Sequence, residues 1–206
     1  MIPLVSKQLS KSKRYKEFLE LQATCVKASL QREKQQNSYT KKLRVINNNT
    51  GEITGVGSYV KTLAKNNQAI MQKSSAIVDI ATNFGLTGIF ITITNPSEYH
   101  PFFSSKNGDR FIRNNPRFNF ETIEEAIIAG YKNLNKIFRN FYKRVKEISK
   151  HIYYINSVEP HKSHISHLHC LIFIDEKYIK DVKRIFKSHL QISKKTHNLI
   201  YFCKKS

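Results

Sequence analysis

Acidic residues are scarce in this chain. Asp and Glu number 15 against 35 Lys and Arg over 206 residues, a formal charge of +20. A surplus of that size points to a polyanionic partner, most often nucleic acid, although a basic composition can also serve solubility alone. Cysteine is nearly absent too. Cys25, Cys170 and Cys203 are odd in number and far apart, which excludes both a disulfide framework and a paired-cysteine metal motif and suits a reducing cytoplasm. No apolar run approaches membrane-spanning length. Met1-Ile2-Pro3-Leu4-Val5 meets lysines too soon to be the core of a signal peptide. No internal repeat is visible. The length fits one compact domain, or one domain with an appendage.

Along the chain the character changes once. Residues 1–86 read as a mostly helical, polar N-terminal region. In it Tyr15, Phe18, Leu19, Val26 and Leu30 have rough helical spacing, and Asn47-Asn48-Asn49-Thr50-Gly51 is a turn signal between two short apolar runs. A second helix is expected over about 67–84, with Ile70, Met71, Ile77, Ile80 and Phe84 inward and Gly85 as its C-cap. From residue 87 the pattern becomes strand, long loop, helix, strand, tight turn, strand, helix. Gly88-Ile89-Phe90-Ile91-Thr92-Ile93-Thr94 alternates, with isoleucines for a core and threonines for a polar face, and Pro96 stops it. Residues 97–121 read as a loop. Thr122-Ile123-Glu124-Glu125 is a capping box, followed by a helix whose inward positions are Ile127, Tyr131, Leu134, Phe138, Phe141, Val145 and Ile148. Its outer face carries Lys132, Lys136, Arg139, Lys143, Arg144 and Lys146, a solvated basic face or a DNA-binding one. Strands over 152–158 and 167–174, joined by a tight turn, make an antiparallel hairpin. A last helix is expected over about 176–190. The fold class is α+β, a central antiparallel sheet flanked by helices.

The chemistry concentrates in Glu159-Pro160-His161-Lys162-Ser163-His164-Ile165-Ser166-His167-Leu168-His169-Cys170. A strand repeats every two residues, so His167 and His169 share one face while Leu168, Cys170 and Ile172 face a core. Hairpin closure brings Glu159 opposite His167. Two imidazoles and a carboxylate on one sheet face form a divalent-metal site with open positions, suited to Zn²⁺, Mn²⁺ or Mg²⁺. His161 and His164 in the turn are support for that site, DNA contacts or simply exposed. His161 and Lys162, with Lys143 and Arg144 on the basic helix, are the candidate DNA contacts. His100, His151, His189 and His197 join no constellation.

These residues also carry a family resemblance. His167-Leu168-His169 resembles the histidine–hydrophobe–histidine (HUH) motif of rolling-circle replication initiators. Ser157-Val158-Glu159-Pro160-His161 followed by Ser166-His167-Leu168-His169 is similar to the bacteriophage replication gene A protein family. So are Phe90-Ile91-Thr92-Ile93-Thr94-Asn95-Pro96-Ser97-Glu98-Tyr99-His100 and Asn115-Pro116. Tyr59-Val60 and Asn67-Gln68-Ala69-Ile70 resemble the family's helical lead-in. The resemblance implies an HUH endonuclease domain over 87–206 and a Mg²⁺ or Mn²⁺ ion on Glu159, His167 and His169. It implies site-specific nicking of single-stranded DNA at a replication origin by a tyrosine, in company with a host helicase and polymerase. The family's nucleophilic tyrosines lie on a helix well beyond the histidines, in tyrosine–lysine repeats. Here only Tyr178, on the expected last helix, and Tyr201, in the strand-like Leu199-Ile200-Tyr201-Phe202 before Lys204 and Lys205, follow them. The expectation is therefore a truncated or split initiator. A non-catalytic origin- or single-stranded-DNA-binding protein is the alternative reading, and a tyrosine-independent metal hydrolase a third.

Overall fold

A computed structural model describes residues 4–55, 59–105, 110–189 and 199–202. Residues 106–109 of the stretch read as a loop, the end of the last helix at 190, His197, Cys203, Lys204 and Lys205 lie outside them. The chain divides into two units, one of residues 1–18 and 77–206, the other of residues 19–76.

In the first unit a four-stranded antiparallel sheet carries the site. The strands named here are β1 (Leu4–Val5), β2 (Arg44–Ile46), β3 (Ile53–Gly55), β4 (Thr87–Thr94), β5 (Phe102–Ser104), β6 (Arg110–Asn114), β7 (Ile152–Pro160), β8 (Ser166–Ile174) and β9 (Leu199–Phe202). The main sheet runs β7-β8-β4-β9. Alternation does what the sequence demands of it. Ile89, Ile91 and Ile93 on β4 and Leu168, Cys170, Ile172 and Ile174 on β8 are buried under one face. Against them pack helices α3 (Ile123–Ile148) and α4 (Ile179–His189) through Leu134, Phe138, Phe141, Val145, Val182 and Phe186. Each large side chain buried this way contributes about 1.5–3 kcal/mol. The N-cap half of the capping box at the head of α3 forms: the Thr122 hydroxyl accepts from the Glu125 N–H at 3.1 Å, while the Glu125 carboxylate accepts from the Glu121 N–H at 3.2 Å rather than from Thr122.

One inward expectation on α3 is corrected. Tyr131 is about half exposed, and Gly130, one residue earlier, is buried instead. Asn95 needs that space. A Cβ at Gly130 would lie 3.0 Å from Asn95 Nδ2, close enough that Asn95 would have to shift by a few tenths of an ångström to admit it.

The stretch read as a loop over 97–121 contains structure. β5 and β6 form a hairpin, and β1 adds to β6 in parallel, giving a second, three-stranded sheet. Its strands are too short for periodicity to reveal. They are held by aromatic packing instead: Phe102 and Phe111 close on Phe18 edge-on, and Tyr15 on Phe102. Tyr15 and Phe18 belong to the first turns of α1 (Lys13–Lys42).

The far end of the main sheet's second face is covered by the last turns of α2 (Tyr59–Asn83), where Ile77 and Ala81 meet Leu86 and Phe173. Gly85 caps that helix with φ +63°, while the Leu86 N–H bonds to the Ala81 carbonyl.

Residues 19–76 hold the rest of α1, most of α2 and the β2–β3 hairpin between them, which closes on the Asn47–Gly51 turn. Here the inward expectation fails for Ile70 and Met71, which are 62% and 74% exposed, and α2 begins at Tyr59 rather than near 67; Val26 and Leu30, helical in spacing, are more than half exposed. Ile80 and Phe84, beyond this unit, are also exposed. Spacing alone made these residues look inward; among the described residues no second layer buries them.

Candidate metal centre

The centre lies where β7 and β8 meet the turn between them. Their register pairs Glu159 with His167, Ser157 with His169 and Ile155 with Leu171. β4 continues the rows with Thr94 beside His167 and Thr92 beside His169. All these positions lie on the face opposite the one packed by α3. Glu159 Oε2 stands 3.9 Å from His167 Nε2 and 3.9 Å from His169 Nε2. One donor atom from each residue falls within 4.8 Å of the others; bonds of about 2 Å allow at most about 4 Å between two ligands, so small side-chain rotations would have to draw the three donors together on an ion.

The supports fit that purpose. Thr92 Oγ1 lies 2.9 Å from His169 Nδ1, which leaves Nε2 for the shared centre. Burial, then the neighbouring His169 and His161, hold His167 below the ordinary histidine range despite Glu159, so the ring stays neutral and able to ligate. Asn95 is buried at the end of β4. Its amide donates to the Ser166 carbonyl at 2.9 Å and the Gly130 carbonyl at 3.2 Å, and its oxygen accepts from Asn133 at 3.0 Å. It thereby ties the strand entering the histidines both to β4 and to α3.

The turn is packed rather than open. Ser163 and Ile165 are buried, and His164 adopts φ 64° with its ring 4.9 Å from that of Phe18. His161, half-buried, has its ring centroid 6.1 Å from that of His167 and 5.7 Å from that of His100. His100 Nδ1 lies 3.2 Å from Ser163 Oγ, and burial with the adjacent His161 lowers its pKa to about 4. His100 thus belongs to the constellation that its sequence position concealed. Asn115 places it, donating to the His100 and Ser97 carbonyls at 2.8 and 2.6 Å. His151, by contrast, stacks on Phe84 outside the constellation, at a ring distance of 5.1 Å.

The other candidates fall elsewhere. Lys162 is exposed on the turn. Lys143 and Arg144 are exposed on α3, on the layer covering the sheet's other face, and Arg144 pairs with Glu147 at 3.6 Å. Lys132, Lys136, Arg139, Lys143 and Lys146 follow one another at four- and three-residue steps, so they form one stripe along the helix. Tyr178 sits in a short 3₁₀ turn before α4 and packs on the α3 side of the core. It follows the opposite end of β8, separated from His169 by about 17 Å of strand. Tyr201 is the backbone partner of Phe90 in the β4–β9 pair, and its side chain lies outside the described residues.

Phe90, Thr92, Asn95 and His100, within the motif that begins in β4, and Ser163, within the histidine stretch, are residues to which sequence reasoning gave no role at the site. For Phe90 and Thr92 the signal was the alternation of β4, whose register with β8 only the fold specifies; Asn95, His100 and Ser163 lie beyond the strands and reach the site through tertiary contacts.

Among solved structures, the hypothetical protein ORF119 from Sulfolobus islandicus rod-shaped virus 1 is similar over 65% of this chain and 81% of its own. The two are 18% identical, with a TM-score of 0.36. No curated protein matches the chain significantly. The model of the bacteriophage replication gene A protein matches residues 12–199, nearly the whole sequence, and the chain belongs to that family.

Proposed function

We propose that this protein is a phage replication initiator that engages single-stranded DNA at an origin through a Mg²⁺ or Mn²⁺ ion on Glu159, His167 and His169. The observation that carries the proposal is the β7–β8 register, which gathers two neutral-capable imidazoles and a carboxylate at a solvent-facing sheet end of a chain with charge +20. Such an ion supplies a Lewis acid for a phosphate oxygen. The protein's own part is to hold the donors in register, orient His169 through Thr92 and keep His167 unprotonated. Phosphates flanking the site are met by Lys162 and His161 on the turn, while the α3 stripe, with Lys143 in it and Arg144 beside it, lies on the opposite layer and would meet only a more distant part of the strand.

A second reading, binding without nicking, is favoured by the position of Tyr178 at the far end of β8. The two readings separate in one experiment. Calorimetry should show Mn²⁺ binding that His167→Ala with His169→Ala abolishes, and unchanged binding would refute the site. A denaturing gel with Mn²⁺ and an end-labelled origin strand then reads covalent attachment. An adduct lost in Tyr201→Phe assigns nicking to this chain through β9. DNA and ion binding with little or no adduct, the outcome expected of the 206-residue chain alone, leaves it an origin binder that needs a tyrosine from elsewhere.

A further inference from the structure

We infer that the sheet face beside the metal centre is a docking shelf for one unpaired nucleobase, with the Phe90 ring as its stacking surface. The inference rests on the proposed ion site only for the neighbouring phosphate. Among the described side chains, three rows cross the open part of this face. Glu159, His167 and Thr94 form the first, Ser157, His169 and Thr92 the second, and Ile155, Leu171 and Phe90 the third. Chemistry changes abruptly between the second and third rows. A cleft of about 370 Å³ opens there, lined by Phe90, Ile155, Asn156, Ser157, Glu159, His169 and Leu171, so one depression is walled by an aromatic ring, two aliphatic side chains and two of the three metal-site residues.

The further end of the face is closed by α2 over Phe173, but the third row is only partly buried. The Phe90 ring lies nearly parallel to His169, centroids 5.6 Å apart and planes at 17°. The ring is therefore held in a fixed plane next to the metal donors.

The occupant follows from spacing and charge. Successive same-face rows of a strand are about 6.6–6.8 Å apart. That is the scale of the separation between a nucleotide's phosphate and its base, so a phosphate at the ion sets an adjoining base over the third row. A base has a flat apolar face to lay on Phe90 and a polar rim to meet Ser157 and the backbone around Asn156 at the exposed edge strand β7. Aromatic side chains beside cationic surfaces bind single strands in this way, and each stacked base contributes enough to change affinity by about 5- to 150-fold. An acidic peptide would complement the charge, but it offers no flat face to the shelf.

The probe is a short oligothymidylate and a series of the same length, each member with one abasic site, measured by fluorescence anisotropy in Mn²⁺ and again in EDTA. On the wild-type chain one abasic position should lower affinity about tenfold, while the others change it little. Phe90→Leu, which keeps an apolar side chain but no ring, should weaken the intact strand to the same extent and make the abasic series flat. Phe90→Tyr should restore both. Mn²⁺ affinity should be equal in all three proteins. An abasic series that is flat on the wild-type chain, or a Phe90→Leu chain that still distinguishes the sensitive position, overturns the shelf. Because the abasic series is read on the unaltered protein, a misfolded variant leaves the test intact. Loss of Mn²⁺ binding in the wild type would refute the ion site alone, since the stacking difference is read in EDTA as well.

Discussion

Thr92→Val should weaken the metal centre without loosening the fold. Valine matches threonine in shape and replaces the hydroxyl with a methyl, so the sheet face keeps its volume. What disappears is the contact of Thr92 Oγ1 with His169 Nδ1 at 2.9 Å. In the tautomer where the hydroxyl accepts from Nδ1–H, the one an ion on Nε2 requires, the contact holds the imidazole with Nε2 bare toward Glu159 Oε2 and His167. Without it the ring exchanges tautomers and rotates. The direct loss is one partly buried hydrogen bond, about 1 kcal/mol. Loss of an orienting partner behind a metal-bound histidine lowers metal affinity about 10- to 100-fold, or roughly 1.4–2.7 kcal/mol. Calorimetric titration with Mn²⁺ measures the affinity, and a urea melt in EDTA measures the apo fold. Valine is at least as good a strand residue as threonine, so the melt should move by no more than about 1 kcal/mol. Thr92→Ser retains the hydroxyl and should bind Mn²⁺ nearly as the parent does. Equal affinity in the valine and parent proteins would refute the orienting role, as would a serine variant as weak as the valine one.

Two more outcomes are expected. Gly130→Ala should destabilise by up to about 2 kcal/mol in a urea melt, because the new methyl meets Asn95 Nδ2 at 3.0 Å and Asn95 is anchored from both sides. The loss of about 1–3 kcal/mol in buried amide bonds outweighs the roughly 1 kcal/mol that alanine adds in a helix, and a more stable variant would refute this. Acid should unfold the metal-free chain early. His100, held to about 4 by burial and by His161, remains neutral in the fold while the unfolded chain takes up a proton near 6.5. Stability is therefore full above about pH 6.5 and falls toward pH 4, by up to about 3 kcal/mol from this residue, with His161, His164 and His167 shifted the same way. An equal urea midpoint at pH 7 and pH 5 would contradict it.

The parts of the molecule legible in the sequence are those where one residue's neighbours along the chain decide its surroundings. The alternation of β4 and β8, the capping of α3 and the closure of Glu159 on His167 are all of that kind. His100 was not legible, because its partners Ser163 and His161 reach it only through the packing of the 161–165 turn against the loop after β4. The small sheet of β1, β5 and β6 was hidden for the same reason: strands of two to five residues show no period, and aromatic contacts from α1 hold them. Ile70 and Met71 erred in the other direction. Helical spacing says which residues share a face, but not whether anything lies against it.

The alternation of His167, Leu168, His169, Cys170, Leu171 and Ile172 also protects the centre against mispairing. A one-residue slip of β8 along β4 would turn every side chain over. Two imidazoles would then enter the apolar layer beneath α3, while Leu168, Cys170 and Ile172, now almost wholly buried, would face water. Each misplaced aliphatic residue alone forfeits about 1.5–3 kcal/mol, and imidazoles without hydrogen-bond partners add to that. The hydrophobic layer thus proofreads the metal ligands: a hairpin that closes wrongly is rejected by the core before any ion or nucleic acid arrives. The ligand geometry is enforced by residues that never touch the ion.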